Sequence, residues 1–92
     1  MADLTVVVVS ADEQVWSGQA SMVVARTKVG EIGILAGHQP LLGVLSAGEV
    51  RITASDGGRI VAHAEEGFIS VENNTVTIAA RAAALALSLI HI

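Results

Sequence analysis

The chain has 92 residues, of which 52% are hydrophobic and 2% aromatic, and its formal net charge is −4. This length predicts one domain, and scattered charges without a basic patch argue against nucleic-acid binding. The absence of cysteine excludes disulfides and thiolate metal sites. The N-terminus lacks the basic start of a signal peptide, and the longest uncharged run, residues 32–48, is interrupted by glycines and a proline. The high hydropathy therefore indicates a core rather than a membrane span.

The first half of the chain predicts short extended segments separated by turns. Leu4 to Val9 contains four consecutive valines, which indicates a strand that is buried, or nearly buried, on both faces. Serine and glycine at positions 17 and 18 predict a break between two extended segments. The following extended segments are predicted at residues 14–16, 20–26, 32–35 and 41–45.

The segment 30–42 combines three glycines, one proline and six aliphatic residues. Each interior glycine would cost a helix about 0.8–1 kcal/mol relative to alanine, so the segment predicts strand and loop. We expect Glu31 at a loop tip, where scaffolds present contacts to partners. The stretch from His38 to Leu42 is a partner surface if it is exposed and a core strand if it is buried, and the residues leave both alternatives open.

Two hairpins are predicted in the second half of the chain. For residues 49–54 and 59–64, a three-residue loop at 56–58 pairs Ile52 with Ala62 and keeps the apolar side chains on one face, with a glycine in the left-handed conformation. For residues 68–72 and 75–79, an Asn-Asn turn pairs Ile69 with Ile78. We expect the two aromatic residues, Trp16 and Phe68, to pack inward.

These elements predict an all-β fold, a two-sheet antiparallel β-sandwich of about ten short strands. The Ala/Leu-rich tail favours a helix by its composition, although an isolated helix of this length is marginal in water.

Catalytic and metal-binding patterns are weak throughout the chain. The three histidines, His38, His63 and His91, share no ligand spacing. Glu65 and Glu66 are adjacent, so in a strand they point to opposite faces and cannot act as a carboxylate pair. We therefore expect no enzymatic activity, no metal and no cofactor, which leaves a binding or structural module.

Several motifs resemble the epsilon subunit of F-type ATP synthases over residues 4–79. They are the block Gly-Glu-Ile-Gly-Ile-Leu-Ala-Gly-His-Gln-Pro-Leu-Leu at 30–42, Val-Trp-Ser-Gly at 15–18 and Gly-Phe-Ile-Ser-Val at 67–71. The resemblance implies two five-stranded sheets packed face to face. It also implies a non-catalytic rotor subunit of the central stalk, which links the gamma subunit to the c ring and couples proton-driven rotation to ATP synthesis.

The resemblance also implies contacts, by position in this chain. The c ring would be contacted by Val29, Gly30, Glu31 and Ile32. The gamma subunit would be contacted by Ser10, His38, Pro40, Leu41, Leu42 and Gly43. Such a protein is expected at the cytoplasmic face of the bacterial plasma membrane, held there peripherally through its complex and not inserted into the bilayer.

The match to the family departs at two places. Ala36 stands where the family has proline, which loosens the loop slightly. The family continues into a helical hairpin that inhibits ATP hydrolysis, whereas residues 81–92 lack its acidic residues. We therefore expect a β-sandwich domain over residues 1–80 and a truncated or non-native tail over 81–92. The alternative function is a free-standing β-sandwich module that recognises a peptide or a sugar through an exposed aromatic platform.

Overall fold

The computed structural model describes residues 3–11 and 13–86, and within these ranges it contains nine β-strands and no helix. The predicted all-β class is confirmed. No helix in the described ranges is long and apolar enough to cross a membrane. The strands are β1 (Leu4–Ser10), β2 (Glu13–Thr27), β3 (Gly30–Leu35), β4 (Leu41–Leu45), β5 (Gly48–Ala54), β6 (Arg59–Ala64), β7 (Gly67–Glu72), β8 (Thr75–Ala80) and β9 (Ala83–Ala86).

The strands form two layers that share β2. Its first half pairs with β1 and its second half pairs with β3 and β5. The first layer has the order β4-β7-β8-β1-β2, and β4 also reaches the end of β2 through the pair Thr27–Leu45; the second layer has the order β3-β2-β5-β6-β9. Counting β2 in both layers gives five strands to each, which agrees with the two five-stranded sheets that the resemblance implied.

One pairing departs from the predicted antiparallel arrangement. Strands β1 and β8 are parallel, with Val6 opposite Val76 and Val8 opposite Ile78. The two strands are far apart in sequence, so no hairpin turn dictates their relative direction. The neighbour relations within each hairpin could be predicted from turn residues, whereas this long-range pairing could not.

The predicted break at residues 17 and 18 is wrong, because β2 continues through them. Gly18 is needed for close packing instead of a turn: a Cβ atom there would lie 2.9 Å from the ring of Trp16. The strand changes layer at Ala20, which pairs with both Leu4 of β1 and Ala54 of β5, and the register shifts between Ala20 and Met22.

The core lies between the layers and is built from alternate residues of the strands. In β1, Val6 and Val8 are fully buried, whereas Val7 and Val9 are half-buried on the outer side. The run of valines is therefore buried fully on one face only, which corrects the expectation of burial on both. The fully buried large side chains are Leu4, Val6, Val8, Val23, Ile34, Leu45, Val50, Ile52, Ile69, Val71, Val76 and Ile78.

The β5–β6 hairpin has the predicted loop length but a different register. Ile52 lies opposite Ile60 rather than Ala62, because the three-residue loop spans residues 55–57. Gly57 has φ +94°, so the expected left-handed glycine is present. The Oδ1 atom of Asp56 accepts a hydrogen bond from the Gly58 N–H at 2.8 Å. This local bond favours the loop that ends at Gly57 over the one predicted to end at Gly58.

The β7–β8 hairpin has the predicted register, with Ile69 opposite Ile78. Asn73 and Asn74 adopt φ values of +51° and +60°, as a two-residue turn of this type requires. Asn74 also fixes the segment before β4, because its Oδ1 atom accepts a hydrogen bond from the Gly37 N–H at 2.7 Å.

The expected helix in the tail is wrong for its first residues. Strand β9 pairs antiparallel with β6, so that Ala83 lies opposite Ala64 and Leu85 lies opposite Ala62. The open edge of β6 supplies hydrogen-bond partners that a short isolated helix lacks, and tertiary pairing overrides the helix propensity of alanine. Residues 87–92 lie outside the described ranges. The division at residue 80 stays a prediction.

Candidate protein interaction surfaces

The β2–β3 hairpin ends in a tip formed by Lys28 and Val29. Thr27 is buried beneath it, and its Oγ1 atom donates a hydrogen bond to the Gly30 oxygen at 2.7 Å and accepts one from the Val29 N–H at 3.3 Å. These bonds hold the turn in one conformation. Because Val29 is 93% exposed, this rigid turn presents an apolar side chain to solvent.

We expected Glu31 at the loop tip, but it lies within β3. It is paired in register with Arg26, and its carboxylate lies 2.9 Å from the Arg51 guanidinium. Both side chains of that ion pair are more than half exposed, so it contributes roughly 0–1 kcal/mol to stability. Ile32 is half-buried and packs against the core. The residues expected to meet the c ring are therefore divided between the tip and the strand that follows it.

The outer side of the first layer is apolar across four strands, and we call it the apolar face. One row across the layer runs from Val44 through Phe68 and Ala79 to Val9, and the next runs from Leu42 through Ser70 and Thr77 to Val7. Leu42 is 74% exposed and Phe68 is 55% exposed. The apolar face consists of Val7, Val9, Leu42, Val44, Phe68 and Ala79.

The residues expected to contact gamma are not one patch. Leu42 lies on the apolar face, Leu41 packs against the core, and a Cβ atom on Gly43 would lie 3.3 Å from the Ile69 side chain. His38 and Pro40 precede β4, and the His38 Nδ1 atom lies 2.7 Å from the Gln39 oxygen, which supports a local structural role for this ring.

The segment that contains His38 and Pro40 lies at one end of the first layer, and Ser10 lies at the opposite end. That segment is bonded through Asn74 to the start of β1, because the Asn74 oxygen accepts a hydrogen bond from the Thr5 N–H at 2.8 Å. Ser10 ends the same strand, roughly 16 Å further along at about 3.3 Å per residue. A partner that contacts both positions has to follow the length of β1.

Sequence reasoning missed most of the apolar face and placed Phe68 inward. The signal was present, since the predicted β7–β8 register puts Ile69 on the core side and therefore turns Phe68 outward. Trp16 is half-buried and packs against the core, so the described structure offers no pair of exposed aromatic rings as a platform for a peptide or a sugar. Val44, Val7 and Val9 gave no such signal, because only the pairing of β4 with β7 and of β1 with β8 brings them beside Phe68.

The tip and the apolar face meet in an open groove of about 300 Å³ between β4 and the β2–β3 hairpin. The Lys28 N–H donates a hydrogen bond to the Val44 oxygen at 3.0 Å, which joins the two surfaces through the backbone. The groove is lined by Thr27, Lys28, Val29, Ile32, Leu41, Leu42, Gly43 and Val44.

The outer side of the second layer differs, because it carries a cluster of charges. Arg26, Glu31, Glu49 and Arg51 line one shallow depression. Opposite charges alternate there, so the cluster has no strong net sign. Within residues 3–11 and 13–86, no three metal-ligating side chains come together.

Comparison with known proteins identifies relatives along nearly the whole described chain. The family model described as "ATP synthase, Delta/Epsilon chain, beta-sandwich domain" matches residues 3–86. The ATP synthase epsilon chain of Streptomyces coelicolor is 54% identical over 84 residues, which cover 91% of this chain and 68% of the relative. The ATP synthase epsilon chain of Micrococcus luteus is 53% identical over 85 residues, which cover 92% of this chain and 93% of the relative.

Solved structures share the fold. A chain in the Euglena gracilis mitochondrial ATP synthase (OSCP/F1/c-ring in rotational state 1) superimposes with a TM-score of 0.88 at 24% identity, covering 99% of this chain and 58% of that one. A chain in the Tetrahymena thermophila mitochondrial ATP synthase (central stalk/c-ring) gives a TM-score of 0.69 at 18% identity, covering 89% and 66% respectively. This chain therefore spans less than two thirds of either structural neighbour.

Proposed function

Since the chain belongs to the family of the ATP synthase delta/epsilon chain, whose β-sandwich domain it matches, we propose that it is a subunit of the central stalk of an F-type ATP synthase. In this role it binds the gamma subunit and the c ring and turns with them, so that proton-driven rotation is coupled to ATP synthesis. It acts as a non-catalytic component of the enzyme complex at the cytoplasmic face of the bacterial plasma membrane.

The apolar face is the observation that carries this proposal. Contiguous exposed apolar surface is uncommon on monomeric proteins and marks sites of protein association. Here Leu42, Val44 and Phe68 lie together on one flat layer, and each is at least 47% exposed. Binding of gamma would remove these side chains from water, and we therefore assign this face to gamma.

The tip and the charged edge of β3 are assigned to the c ring. Val29 projects from a turn that Thr27 holds in place, and Glu31 offers a carboxylate near Arg26 of β2 and Arg51 of β5. Polar loops of a ring can pair with such a carboxylate. The dense β-sandwich between the two sites suits a mechanical role, because close-packed interiors have low compressibility and transmit strain.

Replacing Phe68 with glutamate is expected to weaken binding of gamma by roughly 30-fold or more, since it buries a charge where a central aromatic contact was. The measurement is calorimetric titration with the gamma subunit of the Streptomyces coelicolor ATP synthase. The matched control is Leu35→Glu, because Leu35 is 57% exposed and lies on the second layer. Equal loss in both variants would contradict the assignment of the apolar face, and absence of binding by the unmodified chain would contradict the proposed function.

Replacing Glu31 with lysine is expected to abolish capture of the c ring while leaving gamma binding within about twofold. The substitution reverses the charge presented to the ring and sets a lysine beside Arg51, at a cost in stability of roughly 1 kcal/mol or less. The readout is co-purification with detergent-solubilised c ring. Glu72→Lys is the control, since it makes the same charge change at an exposed position of β7. Ring capture by Glu31→Lys at the level of the control would remove Glu31 from the interface.

A further inference from the structure

Strand β4 is paired along its whole length on one side but only at its C-terminal end on the other, which leaves the backbone of its first residues open. Its five residues, Leu-Leu-Gly-Val-Leu, carry no charge. The partner along the whole of β4 is β7, whereas on the other side the end of β2 reaches only the pair Thr27–Leu45, flanked by one backbone hydrogen bond from Lys28 to Val44 and one from Ser46 to Arg26. Exposed apolar edges invite pairing with another chain, and they are normally interrupted by charges, prolines or bulges unless a partner covers them.

The backbone groups of Leu42 face this open side. The Val44 oxygen accepts its hydrogen bond from the Lys28 N–H and therefore points away from β7. Because backbone groups alternate in direction along a strand, the N–H and C=O of Leu42 point the same way as those of Val44, and those of Gly43 point to β7. No described backbone group pairs with Leu42 on that side, which leaves a donor and an acceptor at the rim of the groove.

The groove has the lining that an added strand requires. Leu41 and Ile32 form apolar walls beside the open backbone of Leu42. In strand addition, main-chain hydrogen bonds provide affinity and pockets for alternate side chains provide specificity. The groove is also continuous with the apolar face, because Leu42 and Val44 belong to both.

We propose that gamma adds an extended, predominantly apolar segment to the open edge of β4, hydrogen-bonded to Leu42 and seated in the groove between β4 and the tip. This inference rests on the proposed function, because it takes the partner of the apolar face to be gamma. It extends that function in one respect: the bound segment lies against Val29 and Ile32, so that gamma forms part of the surface on which the c ring is held.

The first test compares Leu42→Pro with Leu42→Ala in calorimetric titrations with the Streptomyces coelicolor gamma subunit. Both variants remove the leucine side chain, but only proline removes the outward N–H and places a ring where the added strand would pass. Proline is tolerated at edge positions whose N–H faces away from the ladder. Leu42→Pro is expected to bind at least about tenfold more weakly than Leu42→Ala, which corresponds to one or two lost hydrogen bonds. Equal affinities would overturn strand addition.

The second test uses the unmodified chain, so it does not depend on how the variants fold. Amide hydrogen exchange is followed by NMR with and without gamma. The Leu42 amide is expected to exchange at least about tenfold more slowly in the complex, while the Gly43 amide, already bonded to β7, serves as the internal reference. Binding without protection of Leu42 would overturn strand addition and leave the proposed function intact. Concentration-dependent protection of Leu42 without gamma would identify a second copy of this chain as the occupant and would also overturn the proposal.

Discussion

Replacing Gly67 with alanine is expected to lower the free energy of unfolding by roughly 3 kcal/mol or more, at the upper end of what overpacking a core costs. A Cβ atom at this position would overlap the Ala79 oxygen and lie 2.6 Å from the Ala80 Cα. Both neighbours are backbone atoms of β8, so no side chain can rotate to make room. Relief requires β8 to move away from β7, which would disturb the ladder that holds Phe68 opposite Ala79.

The measurement is urea unfolding followed by circular dichroism, with Gly33→Ala as the matched control. Gly33 also lies in a strand, but a Cβ atom added there has no neighbour within 4 Å. The control is expected to change stability by less than about 1 kcal/mol, and it gains a little from reduced freedom of the unfolded chain. If both variants unfolded at the same urea concentration, the close approach of β7 and β8 at Gly67 would be wrong.

Replacing Ile69 with alanine is expected to cost about 2–5 kcal/mol, the usual range for truncation of a fully buried isoleucine. Ile69 has no exposed surface and lies opposite Ile78. Its side chain also packs over Gly43 of the neighbouring strand β4. The cavity left behind cannot collapse easily, because its neighbours are held in strand ladders. For a domain of this size, such a loss is a large part of its total stability.

Phe68→Ala is the control for this prediction, since it truncates the adjacent residue on the opposite face. Its cost in stability is expected to be roughly 1 kcal/mol or less, because Phe68 is 55% exposed. The two variants should also differ in their affinity for gamma. The folded fraction of Ile69→Ala is expected to retain the affinity of the unmodified chain, whereas Phe68→Ala is expected to bind more weakly. Greater destabilisation by Phe68→Ala than by Ile69→Ala would mean that the two faces of β7 have been exchanged.

Local patterns predicted much of the fold. The Asn-Asn turn and the alternation of Ile69 and Val71 were enough to predict the register of β7 and β8, because both turn residues tolerate positive φ. In the β5–β6 hairpin, two adjacent glycines offered two loops of the same length, and the hydrogen bond to Asp56 decided between them. Local sequence predicts a hairpin register when its turn residues allow one loop position, and it is ambiguous when they allow two.

Long-range packing could not be predicted in the same way. Gly18 resembled a turn residue, yet it is required under the Trp16 ring, a contact visible only in three dimensions. The parallel pairing of β1 with β8 joins segments that no turn connects. The apolar face was the least predictable feature. Its residues are mostly ordinary aliphatics from four strands, and only the register of those strands in the first layer brings them together.

The passage of β2 through both layers has a mechanical consequence. In a sandwich whose layers touched only through side chains, a force along one sheet would be opposed only by side-chain packing, and the layers could slide past each other. Here Glu13–Thr27 is one unbroken strand, bonded to β1 in one layer and to β3 and β5 in the other. A load applied to either sheet is carried to the other by peptide bonds, and shearing the two apart requires many ladder hydrogen bonds to break together.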